Sequence, residues 1–226
     1  MLQDRTAKIL ETSIREFIKT GEPVSSGELF DQYDFGIRPA RIRSELQLLT
    51  EMGFLEQPYH SAGRVPSDTG YQFFVERILE KNEEHNSLDR TFEHFLKRSQ
   101  WEDLIESMSD HLGILGVIDD FQGGHVYKDG LDGLLEQLDW QDPGEIKEVV
   151  RDFENLDERL EEARGIFQEV SNVRVFIGKR SPVTESSQLS VIASEYRDGD
   201  KNILLLAIGP KRMNYQKVIS VFQHLS

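Results

Sequence analysis

Residues 37–71 constrain the fold of this chain more than any other stretch, because helix, stop and hairpin signals follow one another there. Pro39 suits the first position of a helix, where its missing N–H needs no partner. Gly53 predicts the end of that helix, since glycine readily adopts the left-handed conformation that follows many helices. Between them, three apolar residues at i, i+4 and i+7 spacing predict one buried face: Ile42, Leu46 and Leu49.

Two short strands are predicted after this helix. The first spans residues 54–57, and residues 59–63 make a turn-rich tip. Arg64 and Val65 are predicted to form the return strand, which Pro66 ends. Ser67 or Asp68 can then cap the next helix. A helix followed by such a hairpin is typical of a winged helix-turn-helix, in which the helix reads DNA and the hairpin is the wing.

The helix face opposite the apolar residues carries the side chains that a major-groove reader needs. At about 3.6 residues per turn, that face holds the following residues, the last on its flank: Ala40, Arg43, Ser44, Gln47 and Arg41. Arginine pairs bidentately with guanine, glutamine with adenine, and serine with either. Taken alone, such a face is also typical of a surface helix that meets only water. The succession of helix, glycine stop and wing favours the DNA reader.

The predicted DNA contacts lie on this helix and around it. Arg64, at the base of the wing, is expected to reach a phosphate or a minor groove. His60, on the wing, either touches DNA or is a solvated loop residue. The predicted base readers are Arg43, Ser44 and Gln47, and the predicted phosphate contacts are Arg38, Arg41 and Arg64. The candidate set is completed by Ser25, Ser26, Pro39, His60 and Ser61.

The charge of the chain limits how it can bind nucleic acid. The net charge is −15, divided into −4 for residues 1–80 (9 basic, 13 acidic) and −11 for residues 81–226 (17 basic, 28 acidic). So acidic a chain has no general attraction for phosphate backbones. DNA binding here requires a local patch of arginines, with marked salt sensitivity and weak non-specific affinity.

Composition excludes several other classes of protein. The absence of cysteine rules out disulfides, thiolate catalysis and cysteine-based metal sites. No apolar run is long enough for a transmembrane span, and the N-terminus lacks a signal-peptide core, so we expect a cytoplasmic protein without membrane contact. The six histidines show no metal-ligand spacing, and a pair such as Asp119-Asp120 is expected by chance in so acidic a chain. We therefore predict no enzyme, no metal and no cofactor.

The flanking sequence predicts further helices and a second domain. Ser25 and Glu28 fit a capping box, and Leu29 and Phe30 are expected to face the core. From Ser99 onward, helical and strand patterns predict an α+β domain with an antiparallel sheet. Helices are predicted at 4–20, 26–33, 68–81, 101–108, 131–138, 145–165 and 214–225, and strands at 112–118, 125–128, 173–177, 189–196 and 202–208.

Four further signals accompany these elements. A polar interruption at 82–86 separates two helical patterns, residues 142–144 are typical of a turn, and Asp198-Gly199 is a hairpin signal. The acids of residues 152–162 alternate with arginines, which predicts a solvated helix with i,i+4 ion pairs.

Several motifs resemble those of a known family, and they occur in the same order. They are Gly21-Glu22-Pro23-Val24, Pro39-Ala40, Ile42-Arg43, residues 53–58, residues 61–66 and Gly70-Tyr71, then a VYxxGxxxLL pattern at 126–135, and an IGPxRMxY pattern at 208–215. On these residues the chain is similar to the bacterial heat-inducible transcription repressor family HrcA.

The resemblance implies an α+β fold in three parts: a winged helix-turn-helix (1–72), linking helices (73–98) and a shortened GAF-like domain with an antiparallel sheet (99–226). It implies a sequence-specific transcriptional repressor of heat-shock chaperone genes. Such a repressor binds an inverted-repeat operator in double-stranded DNA as a homodimer, with the chaperonin as a further partner.

The chain departs from the family in two respects. Arg41, Ser44 and Glu45 replace the residues usual around Arg43, which leaves the operator sequence open. The chain is shorter than the family and lacks its inserted dimerisation subdomain, so we expect the linking helices and the second domain to form the dimer. A protein-interaction or small-molecule sensor module that has lost operator binding is the alternative, which the net charge of −15 favours.

Overall fold

The computed structural model describes residues 2–81, 90–138, 143–167, 172–198 and 201–225. The chain divides into two compact units, Met1–Lys81 and Asn82–Ser226. Both units combine helices with antiparallel strands, which confirms the predicted α+β class. The predicted polar interruption at 82–86 and Gly199 of the hairpin signal lie outside the described residues.

The first unit contains four helices and one small hairpin. They are α1 (Asp4–Thr20), α2 (Ser26–Gln32), α3 (Pro39–Glu51), β1 (Leu55–Glu56), β2 (Val65–Pro66) and α4 (Asp68–Lys81). The core is built from apolar residues of every helix: Ile9, Leu10, Ile14, Leu29, Ile42, Leu46, Leu49, Tyr71, Phe74 and Val75. The predicted bounds of these helices agree with the structure to within one residue.

The start of α2 follows the sequence pattern, but its apolar face does not. The Glu28 N–H donates to Ser25 Oγ (3.2 Å) and the Ser25 N–H donates to Glu28 Oε2 (2.8 Å), which confirms the capping box. Leu29 is buried, whereas Phe30 is 45% exposed. The expectation that Phe30 faces the core is wrong, because adjacent residues of a helix point about 100° apart and this short helix covers the core with one of them.

The second unit is a five-stranded antiparallel sheet with helices on both faces. Its strands are β3 (Leu115–Asp120), β4 (His125–Asp129), β5 (Arg174–Ile177), β6 (Leu189–Asp198) and β7 (Lys201–Pro210), in the order β4-β3-β7-β6-β5. Its helices are α5 (Arg90–Lys97), α6 (Trp101–Leu112), α7 (Leu131–Glu136), α8 (Pro143–Glu154), α9 (Leu156–Phe167) and α10 (Tyr215–Leu225), with a 3-10 turn at Gly178–Arg180.

Burial on both faces of the central strand explains its sequence. Every residue from Ile203 to Ile208 is buried, since strands covered on both faces are apolar without alternation. On one face, Leu204, Leu206 and Ile208 share a core with residues of α7, α8 and α9. On the other face, Ser190 of β6 is hydrogen-bonded to Tyr215 of α10 (2.8 Å).

Three predictions for this unit are wrong in detail. Residues 145–165 form two helices rather than one, since α8 ends at Glu154 and α9 begins at Leu156. Pro143 and Gly144 begin α8 instead of forming a turn, and Asp142 lies outside the described residues. Asp152 is 3% exposed, so the acidic run is not wholly solvated.

Candidate nucleic-acid interface

The helix α3 is bounded at both ends by the residues that the sequence singles out. Arg38 is its N-cap and Pro39 its first residue. At the other end Gly53 has a positive φ of 78°, its N–H donates to Thr50 O (3.0 Å), and the Phe54 N–H donates to Leu49 O (2.9 Å). This pair of bonds is a Schellman motif, which confirms Gly53 as the stop.

The exposed face of α3 carries the predicted base readers. Arg43, Ser44 and Gln47 are exposed on it, together with Arg38 at its start. Neither Arg38 nor Arg43 has a side-chain hydrogen bond or an ion pair within the part of the chain that the structure describes. Their guanidinium groups are therefore available to phosphate or base atoms. The Ser44 hydroxyl donates back to Ala40 O (3.1 Å).

Arg41 differs from Arg38 and Arg43 because its charge is already paired with a carboxylate. Its Nε lies 3.2 Å from Glu45 Oε1. Glu45 is only 4% exposed and accepts a hydrogen bond from Thr6 Oγ1 of α1 (2.8 Å). These contacts hold α3 against α1. Arg41 can therefore contact a phosphate only while it keeps its ion pair with Glu45.

A second contact to α1 comes from the end of α2. The Tyr33 hydroxyl donates a hydrogen bond to the Glu16 carboxylate, and this bond raises the pKa of Tyr33 above its ordinary value. Both helices that flank the turn into α3 are thus held against α1.

The hairpin β1–β2 is attached to the chain segment before α2. Its register pairs Leu55 with Pro66 and Glu56 with Val65. Arg64 lies outside the strand in which it was predicted, because its backbone pairs instead with Val24 through two hydrogen bonds of 2.8 Å.

Gly63 permits this close approach of two backbones. A Cβ atom at Gly63 would lie 2.5 Å from Pro23 O and 2.6 Å from the Val24 carbonyl group. No real Cβ makes such contacts with backbone atoms, so the position requires glycine.

The Arg64 side chain joins the hairpin to α3. Its Nε donates to Thr50 Oγ1 (2.9 Å), its Nη2 to Gln47 Oε1 (3.0 Å) and its Nη1 to Ala62 O (3.4 Å). The Gln47 amide in turn donates to Glu51 Oε1 (3.0 Å). These contacts fix which end of the Gln47 amide faces the hairpin.

The structure thus groups some predicted contacts and separates others. Gln47 and Arg64 touch, and Arg38, Arg43 and Ser44 share the exposed surface of α3. The other predicted contacts serve the local fold or lie on loops: Ser25 and Ser26 at the start of α2, Pro39 at the start of α3, and His60 and Ser61 in the turn between β1 and β2. The exposed Leu48 and Tyr59 were missed, because an apolar residue on a predicted surface carries no signal of its own.

The described ranges contain neither a metal site nor a membrane span. No group of three His, Cys, Asp or Glu side chains there is placed to hold a metal ion. No helix there is long and apolar enough to cross a membrane.

The family described as HrcA protein C terminal domain matches residues 73–219 of this sequence. The chain belongs to the HrcA family. The resemblance deduced from the sequence motifs is therefore confirmed.

Relatives of this family match part of the chain. The heat-inducible transcription repressor HrcA of Carboxydothermus hydrogenoformans is 44% identical over 118 residues, which are 52% of this chain and 33% of that protein. The protein of the same name from Natranaerobius thermophilus is 51% identical over 75 residues, 33% of this chain and 22% of that protein. The chain thus spans a third or less of the length of these HrcA relatives.

One solved structure shares the fold of this HrcA-family chain. It is described as the crystal structure of a hypothetical protein at 2.2 Å resolution, and it superposes with a TM-score of 0.78. The two sequences are 17% identical, and the match covers 100% of this chain and 96% of that one.

Proposed function

We propose that this HrcA-family chain is a transcriptional repressor whose first unit is a winged helix-turn-helix that reads double-stranded DNA. The observation that carries the proposal is the exposed face of α3, where Arg43, Ser44 and Gln47 lie beside a hairpin that Arg64 fastens to the same helix. The relatives in Carboxydothermus hydrogenoformans and Natranaerobius thermophilus are named heat-inducible transcription repressors, which supports the same function.

The residues divide the work according to their position, with base contacts on the exposed face of α3 and phosphate contacts around its start. Arg43 and Gln47 contact base edges in the major groove, where arginine recognises guanine and glutamine recognises adenine. Arg38 contacts a phosphate beside the start of α3, and Arg41 does so while still paired with Glu45. Phosphate contacts position the protein, and base contacts supply specificity.

The operator is an inverted repeat bound by two copies of the chain. A two-fold dimer places its recognition helices about 34–36 Å apart, one turn of DNA. The second unit, proposed to be a shortened GAF-like domain, and the linking helices before it hold the two copies together. Control of chaperone genes in the cytoplasm, with support from the chaperonin, completes this proposal.

The test is fluorescence anisotropy with an inverted-repeat duplex and a scrambled duplex over a salt series. The wild-type chain should bind the first duplex with a steep salt dependence, since counterions are released from the contacted phosphates. Arg43→Ala should weaken operator binding by about 1–3 kcal/mol and relax specificity at one position, with little effect on the scrambled duplex.

Arg5→Ala is the matched control, because Arg5 is an exposed arginine of α1 whose loss changes the net charge equally. Equal losses in the two variants would show that Arg43 acts only through charge. Equal weak binding of the wild type to both duplexes would contradict the repressor proposal and favour the interaction-module alternative.

A further inference from the structure

The tip of the hairpin β1–β2 presents an aromatic side chain to solvent. Tyr59 there is 64% exposed, and within the described residues its side chain has neither a hydrogen-bond partner nor a ring contact. We propose that Tyr59 contacts the minor groove beside each half-site, the stretch of operator that one copy of the chain binds, and makes A·T pairs preferred there. The inference rests on the proposed function, since it requires α3 to lie in the major groove.

The tip is shaped by its own hydrogen bonds before any DNA arrives. The Ala62 N–H donates to Tyr59 O (2.8 Å), which closes a four-residue turn. The Gln57 side-chain amide donates to His60 O (2.9 Å) and to Ala62 O (3.1 Å). A tyrosine has only two side-chain torsions, so on a preformed turn it loses little conformational freedom when it binds.

A chain of hydrogen bonds joins this tip to the exposed face of α3. Ala62 O accepts from Arg64 Nη1 (3.4 Å), and Nη2 of the same guanidinium donates to Gln47 Oε1 (3.0 Å). Tyr59 is thus connected to the proposed base reader Gln47 through two residues. Because the hairpin is held at the side of α3, a helix in the major groove directs the tip across one phosphate backbone toward the neighbouring minor groove.

The sequence of the tip keeps carboxylates away from that backbone. Residues 57–67 contain no Asp or Glu, although the chain holds 41 of them, and they include Arg64. Phosphates flank the minor groove closely and give it a negative potential, which would repel an acidic tip. The acid-free stretch therefore allows an approach to DNA that a chain of net charge −15 does not allow in general.

Tyrosine suits the minor groove because it combines a flat apolar ring with a hydrogen-bond donor. A·T and T·A pairs present only acceptors there, adenine N3 and thymine O2, and the Tyr59 hydroxyl can donate to either. A G·C pair adds the guanine N2 amino group, a donor that stands in the groove and holds the ring away. The expected preference is for A·T in either orientation over G·C.

The experiment is fluorescence anisotropy of the whole chain with three operator duplexes that differ only in the pairs bordering each half-site. These pairs are A·T, I·C or G·C. Inosine lacks the guanine N2 amino group, so I·C matches A·T in the minor groove and G·C in the major groove. We expect equal binding to the A·T and I·C duplexes, and binding to the G·C duplex that is weaker by about fivefold or more.

Three variants test whether Tyr59 produces this ratio of affinities. Tyr59→Ala should bind the three duplexes equally, and Tyr59→Phe, which keeps the ring and removes the donor, should give an intermediate ratio. Phe30→Ala removes another exposed aromatic side chain, on α2, and should keep the wild-type ratio. Both Tyr59 variants should keep the wild-type Tm, since substitutions of exposed side chains rarely alter stability.

A scrambled duplex separates this inference from the proposed function. Equal binding of the wild type to the three operator duplexes, all tighter than to the scrambled one, would overturn the inference alone. Binding to I·C as weak as to G·C would overturn it as well, because the pairs would then be read in the major groove. An unchanged ratio in Tyr59→Ala, or a lower Tm of that variant, would also refute the role of Tyr59. Failure to distinguish operator from scrambled duplex would contradict the proposed function, and this inference with it.

Discussion

Replacement of Arg64 by alanine tests whether this residue positions α3 or binds phosphate. The change removes hydrogen bonds from one guanidinium to Thr50, Gln47 and Ala62. Each such bond stabilises a fold by about 0.5–1.5 kcal/mol, more when charged, and the half-buried position of Arg64 places the sum near 2 kcal/mol. A loss of that size raises the local opening equilibrium of the hairpin about 30-fold.

Hydrogen exchange measured by mass spectrometry checks this value directly. Peptides covering β1, β2 and the end of α3 should exchange faster in Arg64→Ala. Arg43→Ala is the control, since Arg43 makes no hydrogen bond or ion pair within the described ranges, and its exchange should match the wild type.

DNA binding separates the two roles. Loss of a phosphate contact lowers the slope of log binding constant against log salt concentration by about one. Loss of the hydrogen bond from Arg64 to Gln47 instead changes the base preference and leaves that slope unchanged. Unaltered exchange together with a reduced slope would refute the positioning role of Arg64.

Two further predictions concern stability. Gly63→Ala should destabilise the first unit by several kcal/mol, because the added Cβ would lie 2.5 Å from Pro23 O. Gly27→Ala in α2 is the control: the nearest atom to its added Cβ is 3.8 Å away, so this change should stabilise the unit by about 0.5–1 kcal/mol. Calorimetric unfolding of the two variants measures both effects. Arg164→Ala should cost about 3 kcal/mol at neutral pH, because it leaves the buried Asp119 carboxylate, 3.2 Å from the guanidinium, unpaired. Burial raises the pKa of Asp119, so protonation relieves this cost as the pH falls through that raised pKa, and urea unfolding at neutral and acidic pH should show the difference shrinking.

The sequence predicts those elements whose signals are local. Pro39 and Gly53 mark the ends of α3 through their own backbone preferences, and the Ser25 cap depends on a residue three positions away. The antiparallel sheet follows from short apolar strands with tight connections. In each case the physical cause lies within a few residues of the effect.

The remaining features depend on side chains that meet across the fold. Arg64 bonds to residues 14 and 17 positions away, and Arg164 pairs with an acid 45 positions away. Periodicity suggested a solvated charge for Asp152, but its carboxylate serves the backbone of a segment 33 and 34 positions later. Such contacts require three-dimensional positions that spacing alone does not supply.

The central strand β7 also determines where the chain is most vulnerable to aggregation. Its residues Ile203 to Ile208 form a six-residue uncharged apolar segment, the composition that favours stacking between chains. In the fold this segment is paired with β3 on one side and β6 on the other, so it has no free edge. Exposing one of its edges requires the β3 or the β6 ladder to separate, whereas fraying of the outer strands β4 and β5 leaves both edges covered. The stretch most prone to self-association is therefore separated from either rim of the sheet by two strands.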